Sequence, residues 1–274
     1  MKHQINSHLA DIDLAKAGSH KGQNGRLLII GGSHLFHAAS IWALQVASRI
    51  VDLVHYASVP ENNEIVTQAK SEFRNGIVIA RSDVDAYIEE DDCVLIGPGM
   101  TRDLETEELT HRLLVKYPQK QWVIDAGALQ MVRLADIPKG TILTPHHGEF
   151  SSLWQSFGGD LGLSDEQKVS VLAHKLNCII LLKGEEDILC NASGECVRIK
   201  GGNAGMTKGG TGDVLAGLIA ALACKHDPHA ACEAGSYINK YAGDSLYASV
   251  GPFFNASDLA NEIPKVMKML LVDY

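Results

Sequence analysis

No run of apolar residues in this 274-residue chain approaches the ~20 needed to cross a bilayer. The first eight residues carry two histidines and no apolar core of the secretory type, so a cytoplasmic protein is expected, away from membranes. Clusters of Lys and Arg are also missing and the formal net charge is −9, which leaves no basic face for nucleic acid. Any phosphate must be held locally. None of the six cysteines forms a Cys-x-x-Cys pair, and the expectation is buried, reduced thiols. Of the 12 histidines, His146 and His147 are adjacent and cannot both face one ion from regular structure. Glu149 alone does not complete a site, so a transition-metal centre is not expected. The absence of Gly-x-x-x-x-Gly-Lys-Ser/Thr excludes a P-loop, and no Gly-x-Gly-x-x-Gly follows the first strand to support a dinucleotide fold. No repeat, linker or low-complexity tract divides the chain, and 46% hydrophobic composition can fill one core, so residues 1–274 read as a single domain.

What is present is a recurring syntax. Short apolar runs end in small or polar residues: Leu27 to Ile30 into Gly31-Gly32-Ser33, Val94 to Ile96 into Gly97-Pro98-Gly99, and Val123-Ile124 into Asp125-Ala126-Gly127. Ile142-Leu143 runs into Thr144-Pro145-His146, and Ile179 to Leu182 into Lys183-Gly184. Helical periods separate or follow them at residues 38–50, 103–116, 149–157 and 164–176, and residues 1–21 read as an N-terminal helix and lead-in. Residues 187–200 read as a strand pair turning at 191–194, and 228–248 and 256–271 as helices, the last packed on the sheet. Strands alternating with helices build a parallel sheet, whose ligands bind beyond the carboxyl ends of the strands. The unusual residues all fall there. The densest such segment runs from Gly201 to Leu222, with six glycines up to Gly212 opening directly onto an apolar helix. Glycine permits close backbone approach and a helix N-terminus offers free N–H groups, so the segment is an anion site. Asp213 inside it cannot be there to attract phosphate. It is either a base for chemistry or a helix cap, and a cap needs no run of glycines.

Gly209 to Leu215 (Gly-Gly-Thr-Gly-Asp-Val-Leu), with Asn203, Gly205 and Met206 upstream, resembles the signature of the ATP- or ADP-dependent NAD(P)H-hydrate dehydratases, repair enzymes of ribokinase-like fold. Thr144-Pro145-His146-His147-Gly148-Glu149, Gly97-Pro98-Gly99, Lys183-Gly184 and His20-Lys21-Gly22 are similar to that family as well. The resemblance runs from about His20 to Leu222. The chain departs from the pattern at Ala38-Ala39-Ser40, Ile50-Val51-Asp52, Gly127, Ala204 and Lys208.

The resemblance implies a three-layer αβα sandwich around a mainly parallel sheet, and dehydration of hydrated NADH and NADPH by phosphorylation of the ring hydroxyl and loss of phosphate. Asp213 would be the base, remaining ionised at neutral pH beside the helix N-terminus, and the backbone of Gly210, Thr211 and Gly212 would stabilise the transferring phosphoryl group. Ala39, Gly99, His146, Asn203 and Asp213 would bind the substrate; Lys183, Gly184, Gly209, Gly210, Thr211 and Gly212 would bind the nucleotide. His146 and Lys183 end different strands and are expected to serve separate half-sites. ATP or ADP would enter with Mg²⁺, whose ligands are not assigned. A homo-oligomer working beside a separate NAD(P)H-hydrate epimerase is the expected setting, with no epimerase domain in the chain. Asp125 either orders a Mg²⁺ water or the anion loop, or caps the following helix. Two rivals stay open: a small-molecule kinase of the same fold acting on a sugar or vitamin-precursor alcohol, and a nucleotide-binding protein without turnover.

Overall fold

The structure, a computed structural model, describes residues 7–71 and 73–273. Its elements are, in order, β1 (Arg26–Ile30), α1 (Ala38–Ala47), β2 (Leu53–Ala57), α2 (Pro60–Gln68), β3 (Ile77–Ile79), α3 (Val84–Glu90), β4 (Cys93–Ile96), α4 (Leu104–Lys116), β5 (Gln121–Ile124) and α5 (Ala126–Met131). They continue with β6 (Ile142–Leu143), α6 (His147–Phe157), α7 (Asp165–Leu176), β7 (Ile179–Leu182), β8 (Asp187–Cys190), β9 (Cys196–Ile199), α8 (Thr211–Ala223), α9 (Pro228–Val250) and α10 (Ala256–Leu271). The strands form one sheet in the order β3-β2-β1-β4-β5-β6-β7-β8-β9. Pairing is parallel from β3 across to β7 and antiparallel for β7-β8-β9.

The apolar runs are continuous because both sheet faces are covered. Leu27, Ile29, Leu95 and Val123 point into a core shared with α1, α8, α9 and α10. Leu28, Ile30, Val94 and Ile124 point into a second core shared with α3 to α7. These are the expected three layers. At the centre of the first core, α8 is almost wholly buried and rich in small residues. A Cβ on Gly217 would meet the Cα and carbonyl oxygen of Ala43 at 2.6 Å each, so α1 and α8 touch backbone to backbone there. This contact seats the N-terminus of α8 over the sheet edge.

Three expectations change, and a stretch without a reading of its own holds two strands. Of the proposed N-terminal helix, residues 1–6 lie outside the described residues, and the rest holds one 3₁₀ turn at Ser7–Leu9 and irregular chain up to β1. Leu9 is buried in the core and Ile12 packs against it, but no apolar stripe follows to hold a helix. Helix α10 packs chiefly on α9, α1 and α8 rather than on the sheet, because those helices already cover that face. Strands β2 and β3 carry no clear apolar signal, as β2 has His55 at its centre and β3 is a three-residue edge strand. His55 is buried because its Nδ1 lies 2.8 Å from a carboxylate oxygen of Asp91. Finally, Cys190 and Cys196 are joined in a disulfide. The β8-β9 hairpin makes them direct cross-strand partners with Cα atoms 4.2 Å apart, a proximity set by register that spacing alone does not reveal. Cys93, Cys178, Cys224 and Cys232 are free and buried, and burial pushes the Cys178 thiol up to about 12.

The α1-α8 contact is open to test. Gly217→Val forces the two helices apart and should destabilise the fold by about 1–3 kcal/mol. Denaturant unfolding measures it, and unchanged stability would mean the helices have room to separate.

Candidate active site

The Gly201–Gly212 segment is braced from behind. Gly210 caps α8 at φ +97°, a left-handed conformation suited to glycine, and a Cβ there would strike the Trp42 ring at 2.3 Å and Ala256 at 2.7 Å. The Asn203 side chain accepts from the Gly205 N–H at 3.0 Å and donates to Asp244 at 2.9 Å, while Asp244 also accepts from the Gly202 N–H at 3.0 Å. The Thr211 hydroxyl donates to the carbonyl oxygens of Met206 at 2.7 Å and Lys208 at 3.0 Å, so it serves the loop's shape. Lys208 bonds the Pro252 carbonyl and sits over the Phe254 ring at 5.2 Å, which gives this departure a structural role. Ala204 opens a 3₁₀ turn whose first position takes proline or alanine equally well. The Val214 N–H returns to the Gly210 carbonyl at 3.0 Å, whereas the Gly212 N–H meets no protein acceptor among the described residues. It is free for an anion.

Facing this turn are three strand ends. Asp125 after β5 accepts from the Thr144 hydroxyl and from the Lys183 ammonium, both at 2.9 Å. It makes no cap bond to α5, so the capping alternative does not apply. A Cβ on Gly212 would lie 3.4 Å from Lys183 Nζ, which puts the ammonium against the first turn of α8. Burial opposes the Lys183 charge, but Asp125, Glu149 and Asp213 outweigh it and hold the ammonium above its ordinary range. Asp213 is half-buried, and desolvation, followed by repulsion from Asp125, pushes its carboxyl up to about 7 against the pull of Lys183. The expectation of a fully ionised carboxylate at neutral pH is therefore corrected: desolvation and the neighbouring Asp125 outweigh Lys183 and the backbone N–H.

His146 does two things at once. Its Nδ1 accepts from the N–H groups of Gly148 at 3.0 Å and Glu149 at 3.2 Å, capping α6, and Glu149 reciprocates onto the His146 N–H at 2.9 Å. With Nδ1 accepting, the ring proton lies on Nε2, which is 3.6 Å from a carboxylate oxygen of Glu149. The His146 and Lys183 backbones pair in an isolated parallel bridge, so the two residues expected to serve separate half-sites are neighbours on the strand ends.

His146, Lys183, Gly184, Asn203, Thr211 and Gly212 all line one cavity of about 720 Å³. Gly209 and Gly210 do not; they shape the loop from outside it. Gly99 and Ala39 lie elsewhere along the edge, packed on each other with a Cβ on Gly99 only 3.0 Å from that of Ala39. The departures nearby have local causes. Buried Ser40 bonds the Tyr56 hydroxyl at 2.8 Å, and Asp52 accepts from the N–H groups of Gly22 at 2.8 Å and Asn24 at 3.1 Å. A Cβ on Gly127 would come within 2.1 Å of the Met100 carbonyl oxygen, which leaves no space for a second acid.

Sequence reasoning missed the cavity's rear wall. The Lys240 ammonium, 5% exposed as a residue, lies 3.2 Å from Asp187 and donates to the carbonyls of Gly184, Glu185 and Gly201. It ties the β7-β8 turn to the glycine loop. A lysine among Gly235, Ile238, Ala242 and Gly243 was the available signal. Beside it, the Asn239 amide is buried in the cavity wall with Oδ1 unpartnered among the described residues. No group of three or more His, Cys, Asp or Glu side chains among the described residues is arranged to hold a metal ion.

The chain is similar to known proteins in sequence and fold. A family model described as NAD(P)H-hydrate dehydratase matches residues 27–265. The bifunctional NAD(P)H-hydrate repair enzyme of Methanocaldococcus jannaschii is 37% identical over 92% of this chain and 50% of its own length, so the chain spans about half of such relatives. An ADP-dependent (S)-NAD(P)H-hydrate dehydratase of Nitrosopumilus maritimus is 36% identical over 92% of both chains. The crystal structure of the ADP/ATP-dependent NAD(P)H-hydrate dehydratase from Bacillus subtilis, co-crystallised with ATP and Mg²⁺, superposes with a TM-score of 0.83 at 25% identity over 96% of each chain. The fold is ribokinase-like.

Two outcomes follow from the geometry. A carboxyl whose pKa rises on folding favours the fold below its unfolded value of 3.8, and that contribution is lost as pH rises through about 7. Asp213→Asn should thus raise the melting temperature of the ligand-free protein at pH values above 7, with the gain vanishing in acid; no gain above neutrality would contradict the burial of this charge. His146→Ala should lose about 0.5–2 kcal/mol of stability through the α6 cap, while His146→Asn, a good capping residue, should restore most of it. Chemical unfolding of the pair separates the cap from any role of Nε2 in binding.

Proposed function

The chain belongs to the NAD(P)H-hydrate dehydratase family, and on that premise we propose that it dehydrates hydrated NADH and NADPH with ATP or ADP as phosphoryl donor. The observation that carries this reading is Asp213, half-buried with a carboxyl near 7, on the helix turn whose Gly212 N–H is free and against which the Lys183 ammonium rests. A general base works best with a pKa near the operating pH. Asp213 takes the proton of the ring hydroxyl as its oxygen attacks the terminal phosphorus, and the nucleotide leaves one phosphate shorter. The C–O bond then breaks with phosphate as leaving group and a ring proton departs, which restores the double bond.

In this reading the terminal phosphates lie between the first turn of α8 and Lys183, where N–H groups and a point charge stabilise the transferring group. The cavity's size suits a nucleotide, and the unpaired Asn239 amide offers a hydrogen bond to its base. His146 Nε2 and the turn of Gly99 and Ala39 are assigned to the hydrated cofactor, and Asn203 to shaping the loop between them. Mg²⁺ would accompany the phosphates, which with water supply most of its ligands, and no step here depends on a protein cage for it. Residues 1–274 are taken as one catalytic unit, supported by the single continuous sheet; a cytoplasmic homo-oligomer beside a separate epimerase completes the proposal. Among the described residues no helix is long and apolar enough to cross a membrane.

The test is restoration of the near-ultraviolet absorbance of reduced nicotinamide from enzymatically hydrated NADH, with ATP and ADP in turn. Asp213→Asn should lower turnover by about 100-fold or more while nucleotide binding survives in calorimetry. Phosphorylation of a sugar or vitamin-precursor alcohol, with the hydrated cofactor untouched by the parent, would establish the kinase reading instead.

A further inference from the structure

The backbone just after β5 is strained, and the strain sits beside an unassigned carboxylate. Ala126 has φ +45°, one of two non-glycine residues in the left-handed region among those described. Such a conformation is unfavourable for a residue with a Cβ, and persists where surrounding contacts over-determine it. Those contacts are visible. The Asp125 N–H is bonded to the Ile96 carbonyl at 3.1 Å, and the Asp125 carbonyl is turned so closely onto Gly97 that a Cβ there would overlap it at 1.7 Å. The effect is to turn the Asp125 side chain away from its own helix, whose N-terminus it would ordinarily cap, and toward Thr144 and Lys183.

The residue is 1% exposed, and a buried carboxylate needs partners of this strength. Lys183 in turn lies between Asp125 and the first turn of α8. A lysine has a flexible stem and a point charge, so without an anchor its ammonium would not stay in one place. We propose that Asp125 is a positioning residue for the reaction: anchored by Thr144 and by the left-handed turn at Ala126, it holds the Lys183 ammonium at the start of α8, within the field of Asp213. The inference rests on the dehydratase reading for its chemistry, but the electrostatic coupling it describes is a property of the protein alone. Four charged groups face one another here, Asp125 from β5, Glu149 from α6, Lys183 from β7 and Asp213 from α8, with the Asp187 and Lys240 pair farther along the cavity.

Two measurements test it. In the ligand-free protein, ¹³C carboxyl resonances followed against pH, with Asp213 assigned by its loss in Asp213→Asn, should titrate near 7 in the parent and at lower pH in Asp125→Asn, since Asp125 raises the Asp213 carboxyl. In turnover, Asp125→Asn should lose about 100-fold in kcat, the scale of a misplaced catalytic group, with a smaller change in the KM for nucleotide. The acid limb of its pH profile should move the same way as the resonance. An unmoved Asp213 titration overturns the proposal. So does a parent-like kcat. If Asp125→Asn does not fold, Thr144→Val decides: it loosens Asp125 and with it Lys183, so reduced kcat with a shifted Asp213 titration supports the proposal, and full activity or an unmoved titration overturns it. A parent inactive on hydrated cofactor would sink the dehydratase reading, and the titration would still judge the coupling.

Discussion

The ammonium of Lys183 lies almost out of solvent, with 18% of its side chain exposed, and three carboxylates from three other elements surround it. Each charge would be costly alone in that position. Together they make β5, α6, β7 and α8 mutually dependent, because moving any one of them leaves a buried charge without its partner. The cluster has one positive and three negative groups, so one carboxyl holds its proton more tightly than an isolated carboxyl would. Asp213, which has neither the Thr144 hydroxyl nor the direct ion pair that Asp125 enjoys, is the group pushed toward neutrality. A site's base is thus selected by which carboxylate is left least satisfied.

A second buried cation does the equivalent work behind the cavity. Lys240 spends its three donors on backbone carbonyls and is ion-paired with Asp187, which accepts from the Ser236 hydroxyl at 2.7 Å. It fixes the separation between the β7-β8 turn and the glycine loop, and so the width of the cavity. Asp244, Trp42 and Phe254 hold the loop's outer side. Its glycines are therefore not loose: the loop is rigid by bracing, with the Gly212 N–H left over for a ligand. Preorganised donors of this kind require no rearrangement when charge develops.

Much of this was legible along the chain. The buried strands from β4 to β7 declared themselves as bounded apolar runs, because a strand covered on both faces has no polar alternation to blur it. The glycine segment and Asp213 stood out because a flexible loop, a helix start and an acid are rarely adjacent without reason. Helices α4, α6 and α7 were bounded to within two residues by their caps and periods. By contrast β2 was hidden by His55, whose partner Asp91 lies 36 residues away, and the Cys190–Cys196 bond depended on a hairpin register.

Which residues gather at the carboxyl edge of the sheet follows from the chain's order alone, since alternating strands and helices dictate that edge whatever the details of packing. Where the backbone offers N–H groups follows likewise, since glycine placement and a helix start are local properties. Which side chains meet across that edge depends on the packed fold: Asp125 faces Lys183 instead of capping α5, His146 both caps α6 and borders Lys183, and Lys240 reaches back from α9. Ionisation and pairing are set by distances of a few ångströms between elements far apart in sequence. No local pattern encodes them, because Coulomb energies and desolvation depend on what the fold brings near, not on what the chain places next.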